Sequence, residues 1–164
     1  MYMLTRTQGA ITIADEVWVA TALLHGEHPS REDFTLEEIE SKVEALDLFG
    51  RLRPGVRVHT SMHCVANKKP NPANYCMLFA TGRNTRRLYR PGDPSHPDRV
   101  GKTTPAAGDL PPELRYLLQW YHGEYAASGG PPEDPILAAR GVGSELWKDV
   151  DVDEHVDHLR ERWQ

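Results

Sequence analysis

Cysteine is nearly absent from these 164 residues: only Cys64 and Cys76 occur. Two thiols are too few for a disulfide scaffold, and they are expected as buried thiols in a reducing compartment. No apolar run approaches the ~20 residues that would span a bilayer. The chain also does not start with a charged segment leading into an apolar one, as a secretory leader does. A cytoplasmic protein without membrane contact is therefore expected. The sequence also lacks a Gly-rich phosphate loop, a G-x-S-x-G turn, and any Ser/His/Asp spacing that stands out. A non-enzymatic chain without cofactor is the expectation. His59 and His63 are spaced i, i+4, but no further Cys or His motif completes a tetrahedral set, and the same holds for His155 and His158. Asp149, Asp151, Asp153, Glu154 and Asp157 lack the glycine and terminal glutamate of a calcium loop, so no metal site is expected.

What is present is charge, unevenly placed. The net charge of -5 hides segments of opposite sign: -7 over residues 1–50, +9 over 51–102, -3 over 103–133 and -4 over 134–164. A basic block between acidic ones is expected where a phosphate backbone must be neutralised locally. The length suits one domain with an appendage better than two full cores.

Periodicity places a first helix over about 12–25, with Ile13, Val17, Ala20, Leu23 and Leu24 on one face and Asp15 and Glu16 near its positive end. Pro29 and its neighbours break the chain. Phe34-Thr35-Leu36-Glu37-Glu38-Ile39 then reads as a capping box with a hydrophobic staple, opening a second helix that stops near Gly50. A third helix is expected over 57–67, with Val58, Met62 and Val65 facing the core. Its opposite face would show Arg57, Thr60, Ser61, His63 and Asn67, followed by Lys68 and Lys69. Side chains of these types can bond base edges. Residues 75–82 and 85–90 read as a hairpin carrying Arg83, Arg86, Arg87 and Arg90. Residues 91–111 are rich in Pro and Gly and read as a linker, and 112–127 as a fourth helix built on Leu114, Leu117, Leu118 and Tyr121. Ser128-Gly129-Gly130-Pro131-Pro132 reads as a hinge. Beyond it, the apolar anchors are spread too thinly for a core of their own.

Helix, helix, turn, helix, hairpin is the winged helix-turn-helix order. The expected fold class is α+β, mainly α, with a short β-hairpin wing, an additional helix, and an extended, partly helical C-terminal arm. The expected divisions are 1–104, 105–127 and 128–164. Candidate DNA-contacting residues are Arg57, Thr60, Ser61, His63, Asn67, Lys68, Lys69, Arg83, Arg86 and Arg87.

Two resemblances extend this reading. Glu16-Val17-Trp18-Val19-Ala20-Thr21-Ala22-Leu23-Leu24, Leu52-Arg53-Pro54-Gly55-Val56, His63-Cys64-Val65-Ala66-Asn67 and Arg86-Arg87-Leu88 resemble an uncharacterised family of prokaryotic winged-helix domains over about 11–104. The segment from Asp134-Pro135-Ile136-Leu137 to Trp163 contains Gly141-Val142-Gly143-Ser144-Glu145-Leu146-Trp147 and Val156-Asp157-His158-Leu159-Arg160-Glu161-Arg162-Trp163. It is similar to the C-terminal tails of type II antitoxins that neutralise PIN-domain ribonuclease toxins. Those antitoxins usually carry a different, swapped-hairpin head. The resemblance implies a PIN-domain partner, operator DNA and a homodimer or larger complex with toxin. Arg140, Arg160 and Arg162 would meet the toxin's clustered acidic residues, and Ile136, Leu137, Leu146, Trp147, Leu159 and Trp163 would dock beside them. The alternative is a winged-helix accessory or transcriptional regulator whose C-terminal segment packs on its own domain.

Overall fold

The computed structural model describes residues 11–128. The chain divides into two units, Met1–Gly130 and Pro131–Gln164, and the described residues all belong to the first. Helix α1 (Ile13–Glu27) starts on Thr12, whose hydroxyl accepts from the Asp15 N–H. Its middle is apolar on every side, and Trp18, Val19 and Ala22 are as buried as the expected Val17 and Ala20. A helix buried all round must be enclosed by other elements, and here the second, third and fourth helices and the last strand pack about α1.

Strand β1 (Phe34–Thr35) leads directly into α2 (Leu36–Leu46). Both bonds of the capping box form: the Glu38 N–H donates to Thr35 Oγ1 at 3.2 Å, and the Thr35 N–H donates to Glu38 Oε2 at 2.8 Å. Phe34 and Ile39 lie fully buried in the same core. The helix stops on Asp47, in the left-handed region at φ 48°, and Gly50 turns the chain a little later at φ 95°. The third helix begins as α3 (Gly55–Val58) and continues as a wider π-helical turn over His59–His63. Strands β2 (Leu78–Ala80) and β3 (Thr85–Leu88) form the hairpin, joined by Thr81-Gly82-Arg83-Asn84. They are shorter than the pattern predicts. Together with β1 they make an antiparallel sheet in the order β1-β3-β2, with Phe34 opposite Arg86 and Leu78 opposite Leu88.

After the sheet, residues 91–106 form a long loop pinned to the domain. The Gly101 N–H donates to Asn74 O at 3.0 Å, and a Cβ at Gly101 would collide with the Asn74 backbone. Two short 3-10 turns, Ala107–Asp109 and Pro112–Leu114, precede α4 (Tyr116–Trp120). That helix widens over Tyr121–Tyr125 and closes as α5 (Ala126–Ser128). Leu110, Leu114, Leu117, Tyr121 and Tyr125 all enter the one core. Residues 105–128 pack into the same core, and their apolar face is covered by α1, with the Trp18 and Tyr121 rings meeting edge to face at 5.7 Å. The fold is mixed α and β, compatible with the α+β class expected. No helix among the described residues is long and apolar enough to cross a membrane.

His25 ties these layers together. Its ring lies 5.0 Å from Phe34 and 4.8 Å from Tyr125, and its Nε2 accepts from the Leu88 N–H at 3.3 Å. Burial is the main force pushing its pKa down to about 4, with the Arg90 and Arg87 charges acting in the same direction and Asp33 opposing. An unfolded histidine binds its proton near 6.5. Between these values the unfolded chain holds more protons, so stability is full above that window and falls as the pH drops through it. Urea titrations at pH 7.5 and pH 5 should show a loss of about 2 kcal/mol from this residue. An equal loss in His25→Gln would assign the effect to another group.

Candidate interaction surface

The third helix settles onto the core in a different rotation from the one its sequence suggests. Val56, Thr60 and Cys64, four residues apart, are the positions that turn inward. Thr60 meets the apolar interior by folding its hydroxyl back onto Val56 O at 2.9 Å, the usual way a buried threonine satisfies itself in a helix. Val58 and Met62, expected in the core, are each 37% exposed. Of the expected apolar stripe only Val65 is buried. The outward face is therefore Arg57, Val58, Ser61 and Met62, preceded by Leu52 at 41% exposure. A shallow cleft of about 300 Å³ opens beside it, lined by Glu40, Leu52, Arg53, Pro54, Val56 and Arg57.

Two arginines from later in the chain hold this helix in place. A helix leaves its last four carbonyls without intrahelical partners, here those of Thr60, Ser61, Met62 and His63. Arg86 Nε donates to Thr60 O and its Nη2 to Ser61 O, each at 3.2 Å. Arg99 Nη2 donates to Met62 O at 2.7 Å and its Nη1 to His63 O at 2.9 Å. Positive charge at a helix C-terminus also complements its dipole. Arg86 goes on to Gly82 O and Thr85 O in the hairpin, and Arg99 to Tyr75 O and Lys68 O. Neither has a carboxylate partner among the described residues, and burial lowers the pKa of both. Arg99 carried no sequence signal beyond its charge.

The other expected DNA contacts are placed as follows. Arg87 forms a two-pronged pair with Asp93 at 2.7 and 2.8 Å and lies over the Phe79 ring. Asn67 is exposed, but its amide is occupied: it donates to Ala80 O at 3.0 Å and accepts from the Ala80 N–H at 2.9 Å, standing in for a strand at the sheet edge. Lys68 reaches back to Ser61 O at 3.2 Å. His63 is half-buried against His59, with ring centroids 4.8 Å apart. Arg57 points outward but is held between Glu40 at 2.8 Å and Glu37 at 3.3 Å on α2. Lys69 and Arg83 are exposed. Thr60, Arg86 and Arg87 are buried, whereas Arg57, Asn67, Lys69 and Arg83 are exposed. Among the described residues no group of three or more His, Cys, Asp or Glu could hold a metal ion. Ile136, Leu137, Arg140, Leu146, Trp147, Leu159, Arg160, Arg162 and Trp163 lie outside the described residues.

The charge segregation in the sequence has a spatial counterpart. Buried Glu16 receives Arg53, and buried Asp15 receives Lys102 at 2.8 Å. Burial raises the Glu16 pKa, against the pull of Arg53. With Glu37 and Glu40 on Arg57, three of the eleven cations of the basic block are paired with the acidic segment before it. Carboxylates directly beside the outward helix face disfavour a phosphate backbone there.

No protein-family model, curated protein or solved structure matches this chain in comparisons with known proteins.

Removing the donors from Arg86 or Arg99 takes charged donors from buried Thr60 O and from the part-buried Met62 O and His63 O. Arg86→Met and Arg99→Met should each cost roughly 2–4 kcal/mol in urea unfolding, whereas exposed Arg83→Ala should stay within about 0.5 kcal/mol. Equal, small effects at all three positions would show that the carbonyl contacts carry no stability.

Proposed function

We propose that this protein acts by binding another protein, as the antitoxin of a type II toxin-antitoxin pair, and not by catalysis. The element order, with three helices, a hairpin and a sheet ordered β1-β3-β2, supports a winged-helix head. The observation that carries the protein-binding reading is the outward face of the third helix. Where a DNA reader would present free cations and hydrogen-bonding side chains, it presents exposed Val58 and Met62 beside an arginine already held by two glutamates. Apolar surface of this kind is typical of a protein interface.

The resemblance of residues 134–163 to antitoxin tails names the partner, a PIN-domain ribonuclease. In this reading Arg140, Arg160 and Arg162 approach the acidic metal-binding cleft of the toxin and form charge-assisted hydrogen bonds. Trp147 and Trp163, with Leu146, Leu159, Ile136 and Leu137, supply the apolar anchors, and the helix face of the head adds a second contact. Operator DNA is a second reading, favoured by exposed Arg83 on the hairpin turn and exposed Lys69. As a dimer, the head would present these twice.

Co-expression with a PIN-domain ribonuclease encoded beside this chain, followed by co-purification and an RNA-cleavage assay, tests the proposal. Arg160→Ala and Trp163→Ala should each weaken inhibition by about tenfold or more, and Met62→Lys by a smaller factor, with unchanged melting temperature. Full inhibition by a chain ending at Ser128 would overturn the role of the arm. In mobility shifts, Arg83→Ala with Lys69→Ala should lower any DNA affinity and its salt slope. Unaltered binding would remove the DNA reading.

A further inference from the structure

A second cleft, of about 380 Å³, lies at the other end of the domain, where the C-terminal end of α1 meets α5. Its lining includes His25, Arg31, Arg90, Trp120, Glu124 and Tyr125. Arg90 differs there from the other arginines packed into this domain. Arg53, Arg86, Arg87 and Arg99 each donate to carboxylates or carbonyls. The half-buried Arg90 guanidinium sits over the Tyr125 ring, 4.3 Å from its centroid, and donates to no acceptor among the described residues. Its Nε is fully enclosed without a partner. Stacking satisfies the face of a guanidinium, but not its N–H edge or its charge.

We propose that this cleft binds a carboxylate, received on the two Nη groups of Arg90, its Nε being enclosed, with the body that carries it laid against Trp120. The charge of the surroundings selects the ligand. Arg31, the other cation in the lining, is neutralised by a two-pronged pair with Glu38 at 2.7 and 2.9 Å. Glu124 stands exposed at the rim, and the carbonyl ends of two helices add partial negative charge. Asp93 acts on the Arg90 charge from a distance but is bound two-pronged to Arg87, so the site keeps one positive charge, which suits a single negative charge and disfavours a phosphate dianion. Guanidinium and carboxylate match in shape as well, two parallel N–H bonds to two oxygens. The cleft is larger than a bare carboxylate needs and falls in the range of small-ligand pockets. Its aromatic wall, with the Trp120 and Tyr125 rings 5.3 Å apart, suits a flat or apolar body. Such a group can belong to a free aromatic acid or to the end of a peptide. The proposal stands apart from the toxin-binding reading, which uses other residues.

NMR titration of the full chain, following the Arg90 Nε–H and Trp120 indole N–H signals, tests it with four probes. Benzoate represents a free aromatic acid, N-acetylphenylalanine a peptide end, and benzamide and inorganic phosphate are the neutral and dianionic controls. Benzoate or N-acetylphenylalanine should give saturable shifts of both signals, and the tighter of the two identifies the source. Arg90→Met should weaken that binding by roughly tenfold, and Glu124→Gln, a surface change, should tighten it two- to threefold, roughly the effect of one rim charge. Equal shifts with benzamide, tighter binding of phosphate, or weaker binding by Glu124→Gln would each overturn the proposal, as would no response to either carboxylate.

Discussion

The carbonyl groups at the end of the third helix are the constraint on which the arrangement of this domain depends. Thr60, Ser61, Met62 and His63 present four acceptors at the edge of the core, the Thr60 contact fully buried and the others part-buried. Arg86 comes to the first two from the hairpin and Arg99 to the second two from the loop that follows it. A guanidinium is well suited to this, since its five donors are fixed in a plane and it stays charged when buried. Through these contacts the helix, the hairpin and the long loop are joined, and the loop that composition marks as a linker is hydrogen-bonded to the domain.

Seen this way, the segregation of charge along the chain serves folding first. Glu16 with Arg53 and Asp15 with Lys102 join the start of α1 to residues far along the sequence, and Arg57 ties the third helix to α2. A buried carboxylate without its cation would be costly, so these pairs fix which segments meet more than they add net stability. The same pairing alters what the surface offers. A helix that would read as a polyanion contact from composition instead shows methionine, valine and a neutralised arginine, which is why protein recognition is the reading the geometry favours.

The two clefts illustrate how one kind of side chain takes different roles according to its partners. Where an arginine finds carbonyls or a carboxylate within the fold, as Arg86, Arg87 and Arg99 do, it is a structural strut. At the far end of α1, Arg90 sits over an aromatic ring and donates to no acceptor among the described residues, and the proposed carboxylate site rests on that difference. His25, neutral and buried beside it, adds no competing charge.

Local signals were legible in the sequence wherever the partners are close along the chain. The capping box at Thr35 and Glu38, the hairpin and the helix about Leu117 and Tyr121 all rest on contacts within a few residues, so the expectation for each held, with shorter strands. Decisions that depend on distant partners were not legible. Thr60 could turn inward only because its own helix accepts its hydroxyl and the core leaves room, and Met62 is displaced outward as a result. Nothing near Arg86 or Arg99 in the chain marks them as ligands of carbonyls 25 or more residues away. Sequence therefore determined the elements and their order, because backbone hydrogen bonding and side-chain periodicity are local. Which charges are spent inside the fold and which face outward was decided by tertiary structure alone, because a cation has no preference for one anion over another until the chain has brought one of them near.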